Sequence, residues 1–187
     1  RTYEKKNFHL FVSFIMLAEA YPFYHIMDER VERDGHIKTL LYRFKSTKSN
    51  MTYIVLVEHY VYDVFAVKFY PKSWADSPNK YRKLTNTFEP RKIIYTCINI
   101  MLSIYEQYPN ASFGFVGANR INETTVETKR YKVYSTIIAT YFSSRLFYHK
   151  ENKDKSAYLL MNNVSLRENP LLIREIERFF SHQYRFD

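Results

Sequence analysis

Glycine is the scarcest structural punctuation in this chain: only three occur among 187 residues, and two of them, Gly114 and Gly117, lie in one stretch, Phe113 to Arg120. Cysteine is scarcer still. The single Cys97 excludes any internal disulfide framework and points to a reducing compartment. Its place on the apolar stripe of a helical pattern reads as a small buried hydrophobe, and no histidine stands at a spacing that would make it a nucleophile. No apolar run is long enough to span a bilayer as a helix. His-Glu-x-x-His, nucleophile-elbow, P-loop and paired-cysteine patterns are all missing. The six histidines, His9, His25, His36, His59, His149 and His182, show no metal-ligand spacing. No catalytic residue, metal site or cofactor is therefore expected.

Aromatics and positive charge are abundant. Tyrosine and phenylalanine number 18 and 15, hydrophobic residues make up 46%, and the chain is far from a disordered composition. The length suits one domain, and so much tyrosine places some of it on the surface. A net charge of +9 favours anionic partners. The charge is uneven: Lys129 to Lys155 carries seven cations against two acids, and Lys72 to Lys92 six against two.

Periodicity orders the chain. Residues 8 to 20 read as a buried amphipathic helix ended by Pro22, although Lys5 to Ala20 imitates a secretory signal. Of four Asn-x-Ser/Thr triplets, at Asn50, Asn110, Asn122 and Asn163, a chain rich in these residues produces one or two by chance, and Asn110 and Asn163 border expected core elements. Tyr24 to Arg33 reads as a second, charged helix before Gly35, making residues 1–36 an N-terminal helical arm on a main domain of residues 37–187. Ile37 to Lys45 and Met51 to Tyr70 read as a three-strand antiparallel meander whose last turn falls near Tyr60 to Asp63.

Pro71 to Thr87 reads as a surface loop, and Thr87 as the cap of a helix with Pro90 in its first turn. Ile93, Ile94, Cys97, Ile100, Met101, Ile104 and Tyr108 give that helix a stripe to lay on the sheet. A strand from Ala111 to Val116, a helix from about Glu127 to Leu146, a strand from Ser156 to Met161 and a closing helix begun by Asn169-Pro170 complete the order. No repeat, low-complexity tract or linker divides it. The expected fold is α+β, an antiparallel sheet of about five strands covered by three main helices.

The order of parts resembles small uncharacterised α+β families of bacterial proteins, mostly from the Bacteroidetes, filed as domains of unknown function. The resemblance spans roughly residues 40 to 184 and rests on Tyr108, Pro109, Gly117, Arg130, Tyr134, Asn169 and Pro170. It implies a fold rather than an activity.

The strand, loop and helix around Gly114 to Glu127 form a junction of the kind where backbone amides meet anions, Thr124 to Glu127 matching a capping box. Lys129, Arg130 and Lys132 crowd the start of the following helix, where the macrodipole disfavours cations, so a bound anion would relieve them. With Lys80, Arg82, Lys83 and Arg120 they form a candidate anion- or nucleic-acid-binding surface. Tyr81, Tyr131 and Tyr134 are its candidates for stacking on bases of RNA or single-stranded DNA. The leading function is thus a non-enzymatic, cytoplasmic binding or accessory protein. A second reading, favoured by the N-terminal apolar helix, has the same surface meeting an acidic protein partner in a bacterial multisubunit assembly. A third, weaker one is a metal-dependent nuclease using Asp63, Lys68 and Glu127-x-Lys129.

Overall fold

The computed structural model describes residues 19–81, 87–116, 129–153 and 156–183 and, without their side chains, Glu32, Val116, Lys129, Arg130 and residues 179–183 among them. Seven strands form one mixed sheet in the order β1-β2-β3-β4-β5-β7-β6. These are β1 (Phe23–Arg33), β2 (His36–Lys45), β3 (Thr52–Tyr60), β4 (Val64–Pro71), β5 (Ser112–Val116), β6 (Phe147–Asn152) and β7 (Ala157–Asn162). Four described helices accompany them, α1 (Pro90–Gln107), α2 (Lys129–Tyr141), α3 (Asn163–Glu168) and α4 (Leu172–Gln183).

This corrects the expected five-stranded antiparallel sheet with three helices and a helical arm. Tyr24 to Arg33 is not a helix but most of β1, paired antiparallel with β2 from Phe23↔Phe44 to Arg33↔His36. Asp34 and Gly35 close this hairpin, both with positive φ (49° and 77°), as a tight primed turn requires. Gly35 thus ends a strand rather than a helix. The expected helix over residues 8 to 20 falls almost wholly outside the described residues.

The meander β2-β3-β4 and its turn over Val61–Asp63 lie where the sequence places them. After β4 the chain runs through α1 before re-entering the sheet, and such a helical return brings β5 in parallel to β4, with Val64 beside Ser112. That crossover makes the sheet mixed. The helix expected to reach Leu146 ends at Tyr141, and the aromatic run after Ser143-Ser144 becomes the unforeseen strand β6, paired with β7. The cap position of α1 is held by Glu89, not Thr87.

Alternation along the strands sorts side chains to two faces. On one, Tyr42, Phe44, Val55, Val57, Phe65 and Phe113 pack with Ile94, Cys97, Ile98, Met101 and Ile104 of α1 and Ile138 of α2. On the other, Tyr60, Val64, Ala66 and Met161 meet Leu172 and Ile176 of α4. Cys97 lies in the larger core, where burial pushes its thiol up to about 12, as an inert hydrophobe should behave.

Candidate functional site

The expected basic surface divides on the structure. Arg82, Lys83 and Arg120 lie outside the described residues. Lys129 and Arg130 stand in one turn of α2 with Lys132, whose side chain is exposed. Tyr131 corrects its expected exposure: it is 3% exposed, in the core, with its hydroxyl donating to Glu151 Oε2 at 2.9 Å. A helix residue flanked by exposed neighbours on one side and by Ile138 and Phe142 on the other must turn one way, and Tyr131 turns inward. Tyr134 is half-buried, its ring 6.0 Å from that of Phe69. Tyr81 packs edge-on against Tyr70 at 5.5 Å, and burial, with smaller contributions from Tyr70 and Glu58, pushes its hydroxyl up to about 12. Lys80 Nζ sits 4.5 Å from the centre of the Tyr70 ring and donates to Ala75 O.

Phe69 and Tyr70 are neighbours on β4 and so face opposite sides of the sheet. Tyr134 of α2 and Lys80 of the loop after β4 therefore approach the same end of β4 from opposite faces.

A second cluster, which the sequence reading did not assemble, gathers where β1, β2 and β3 meet the end of α1. Lys38 and His59 are register partners on β2 and β3. Lys38 Nζ donates to Asp28 Oδ2 at 2.6 Å, and Asp28 Oδ1 lies 2.7 Å from His25 Nε2. The Asp28 bond, aided by Tyr108, raises the Lys38 ammonium above its ordinary range. Burial pushes the Asp28 carboxyl up, but its bonds to Lys38 and His25 prevail and hold it below the usual carboxylate range.

His59 is the buried member. Its ring stacks on Phe65 at 4.2 Å and meets the edge of Tyr108 at 5.0 Å. Its Nε2 lies 3.0 Å from Asp63 Oδ1, and its buried Nδ1 has no hydrogen-bond partner among the described residues. Asp63 and Tyr62 both hold positive φ (52° and 63°), a conformation that costs such residues of order 1 kcal/mol or more. The His59–Asp63 bond offsets part of that cost. An aspartate orienting an imidazole is the arrangement of a general base, yet the nitrogen that would act, Nδ1, is buried. The pair is a latch on the β3–β4 turn.

Desolvation depresses the His59 pKa against the smaller opposing pull of Asp63. A histidine depressed in the folded state takes up its proton more readily when unfolded. Its contribution is therefore present above the ordinary value of 6.5 and lost as pH falls through the folded value. Stability is expected to decline below pH 6.5, with a slope of at most ~1.4 kcal/mol per pH unit from this one proton. His59→Phe removes that share, leaving the one from His149, whose pKa burial also lowers. Urea unfolding of both proteins at pH 5 to 8 measures the difference; parallel curves would contradict the assignment.

The nuclease arrangement is not assembled. Asp63 turns to His59, while Lys68 binds Glu58 Oε1 at 2.7 Å on the opposite face of the sheet, and Glu127 lies outside the described residues. Among the described residues no three His, Cys, Asp or Glu side chains group as metal ligands, and no helix is long and apolar enough to cross a membrane. No family model, curated protein or solved structure matches the chain.

Proposed function

We propose that this protein is a non-enzymatic binding or accessory protein that engages the phosphate backbone of single-stranded nucleic acid, RNA or DNA. The observation that carries the reading is the turn of α2 in which Lys129, Arg130 and Lys132 stand together with no acid, in a chain of net charge +9. Clustered cations bind polyphosphates by releasing condensed counterions. The inward turn of Tyr131 and the packing of Tyr134 and Tyr81 argue for contacts to phosphate rather than stacking. Recognition of this kind tolerates many sequences.

The test is binding of nuclease-treated protein to labelled RNA and single-stranded DNA across a salt series. Affinity is expected to fall linearly on a log–log plot, with little difference between base sequences. Each phosphate contact adds ~0.7 to the slope for single strands, so alanine at Lys129, Arg130 and Lys132 together reduces it by about 2. Equal slopes for the variant and the parent would remove this site from the proposal. Absence of binding at low salt would remove nucleic acid as the partner.

A further inference from the structure

We propose that the edge strand β1 joins a second copy of this chain, antiparallel, about a two-fold axis through Val31. Among the described residues no strand pairs with the outer side of β1, which is an edge of the sheet. An exposed edge is a template for another strand, and charges on it commonly serve to repel one. The charges here are arranged differently. Residues 29 to 33 read Glu-Arg-Val-Glu-Arg, which is complementary to itself when reversed.

Pairing about Val31 sets Glu29 of each copy opposite Arg33 of the other and Arg30 opposite Glu32, four central pairs of opposite sign, while Asp28 of each copy comes opposite Asp34 of the other, a like-charge pair at either end. Neighbouring axes do worse. Centring on Arg30 opposes it to itself and sets Asp28 against Glu32; centring on Glu29 opposes two carboxylates; an axis between Arg30 and Val31 sets Glu29 against Glu32. The fit is specific to one register and one partner, since only a second copy reads the palindrome. Glu29, Arg30 and Arg33 are exposed, and the register with β2 shifts by one residue between Arg30 and Arg33, so the axis falls on a bulge that the paired strands have to accommodate. The same axis carries Met27, 52% exposed, toward Gly35 at the tip of the other copy's hairpin, where no side chain obstructs it.

The paired segment is short, so the dimer is weak and salt-sensitive. Sedimentation of the parent from low micromolar to submillimolar concentration is expected to show a monomer–dimer equilibrium. The E29R/E32R and R30E/R33E variants, each with one sign of charge along the segment, are expected to be monomeric where the parent dimerises, and to form a heterodimer when mixed. Because Cys97 is buried, a V31C variant supplies a second readout. The axis brings its two copies within disulfide reach, whereas M27C holds its cysteines far apart. Rapid intermolecular oxidation of V31C and not of M27C is the expected result. A parent monomeric throughout, variants that dimerise like the parent, a mixture that stays monomeric, or M27C cross-linking as readily as V31C would each overturn the proposal.

Discussion

Replacing Glu89 by alanine is expected to lower stability by about 3 kcal/mol, read as a shift of the urea midpoint at unchanged slope. Glu89 stands at the cap position of α1 and is buried at 6% exposure. Its Oε2 accepts from the Tyr21 hydroxyl and, at 2.7 Å, from Ser46 Oγ. Ser46 Oγ in turn accepts from the backbone amides of Lys48 and Ser49, shaping the turn between β2 and β3. Tyr21 closes the circuit from the other side, its own amide donating to Thr96 Oγ1 on the first turns of α1. One carboxylate thus joins the segment before β1, the β2–β3 turn and the start of α1.

Removing that carboxylate leaves the buried Tyr21 hydroxyl without its acceptor and Ser46 Oγ with only the Tyr21 hydroxyl, 3.2 Å away, to donate to, which costs more than the bonds themselves are worth. Glu89→Gln keeps the shape and one acceptor oxygen, so it should cost less than alanine. Burial pushes this carboxyl up, but the bonds from Ser46 and Tyr21 prevail and hold it below the usual 4.5. Its stabilisation is therefore present above that value and lost as pH falls through the lowered one, whereas the glutamine variant lacks this dependence. Equal stability of the alanine variant and the parent would show that the circuit carries no net energy.

The legible parts of the fold were those whose signal is local. The stripe from Ile93 to Ile104, with Pro90 in the first turn, places α1 correctly; the Asn169 side chain accepts from Leu171 N, but Asn169 is the C-cap of α3 and α4 begins only at Leu172, two residues past the expected Pro170. β1 was misread because charges over Asp28 to Arg33 resemble a solvated helix face. The competing signal was Asp34-Gly35, a two-residue hairpin turn, and the pairing with β2 decided for it. β6 was hidden because Leu146 and the aromatic residues after it continue the apolar pattern of α2. The parallel step between β4 and β5 has no local signature; it follows from counting the crossover.

The candidate residues divide in the same way. Lys132 is exposed, as charge alone requires, but an isolated tyrosine does not announce which side of a helix it takes, and Tyr131 took the inner one. The His25, Asp28, Lys38, His59 and Asp63 cluster draws on three strands and a turn. Only the register β2 against β3, which sets Lys38 beside His59, brings it together.

Phe65→Ala is expected to be the most damaging single truncation near that cluster, costing about 3–5 kcal/mol. Phe65 is fully buried, stacked on His59 and 5.1 Å and 5.9 Å from the rings of Tyr108 and Phe113. Part of the cost is the lost transfer energy and the cavity left between β4 and α1. The remainder has a distinct signature. Phe65 is one wall of the desolvated site that depresses His59, so opening it to water returns the imidazole toward 6.5. The variant should accordingly be less stable at every pH yet lose less on acidification than the parent, its curve flattening between pH 5 and 7. Phe65→Leu, which keeps apolar cover over the ring, should lose less stability and retain the slope. If Phe65→Ala lowered stability equally at all pH values, burial by Phe65 would not be what holds His59 neutral, and Tyr108, the other ring against it, would have to carry that role alone.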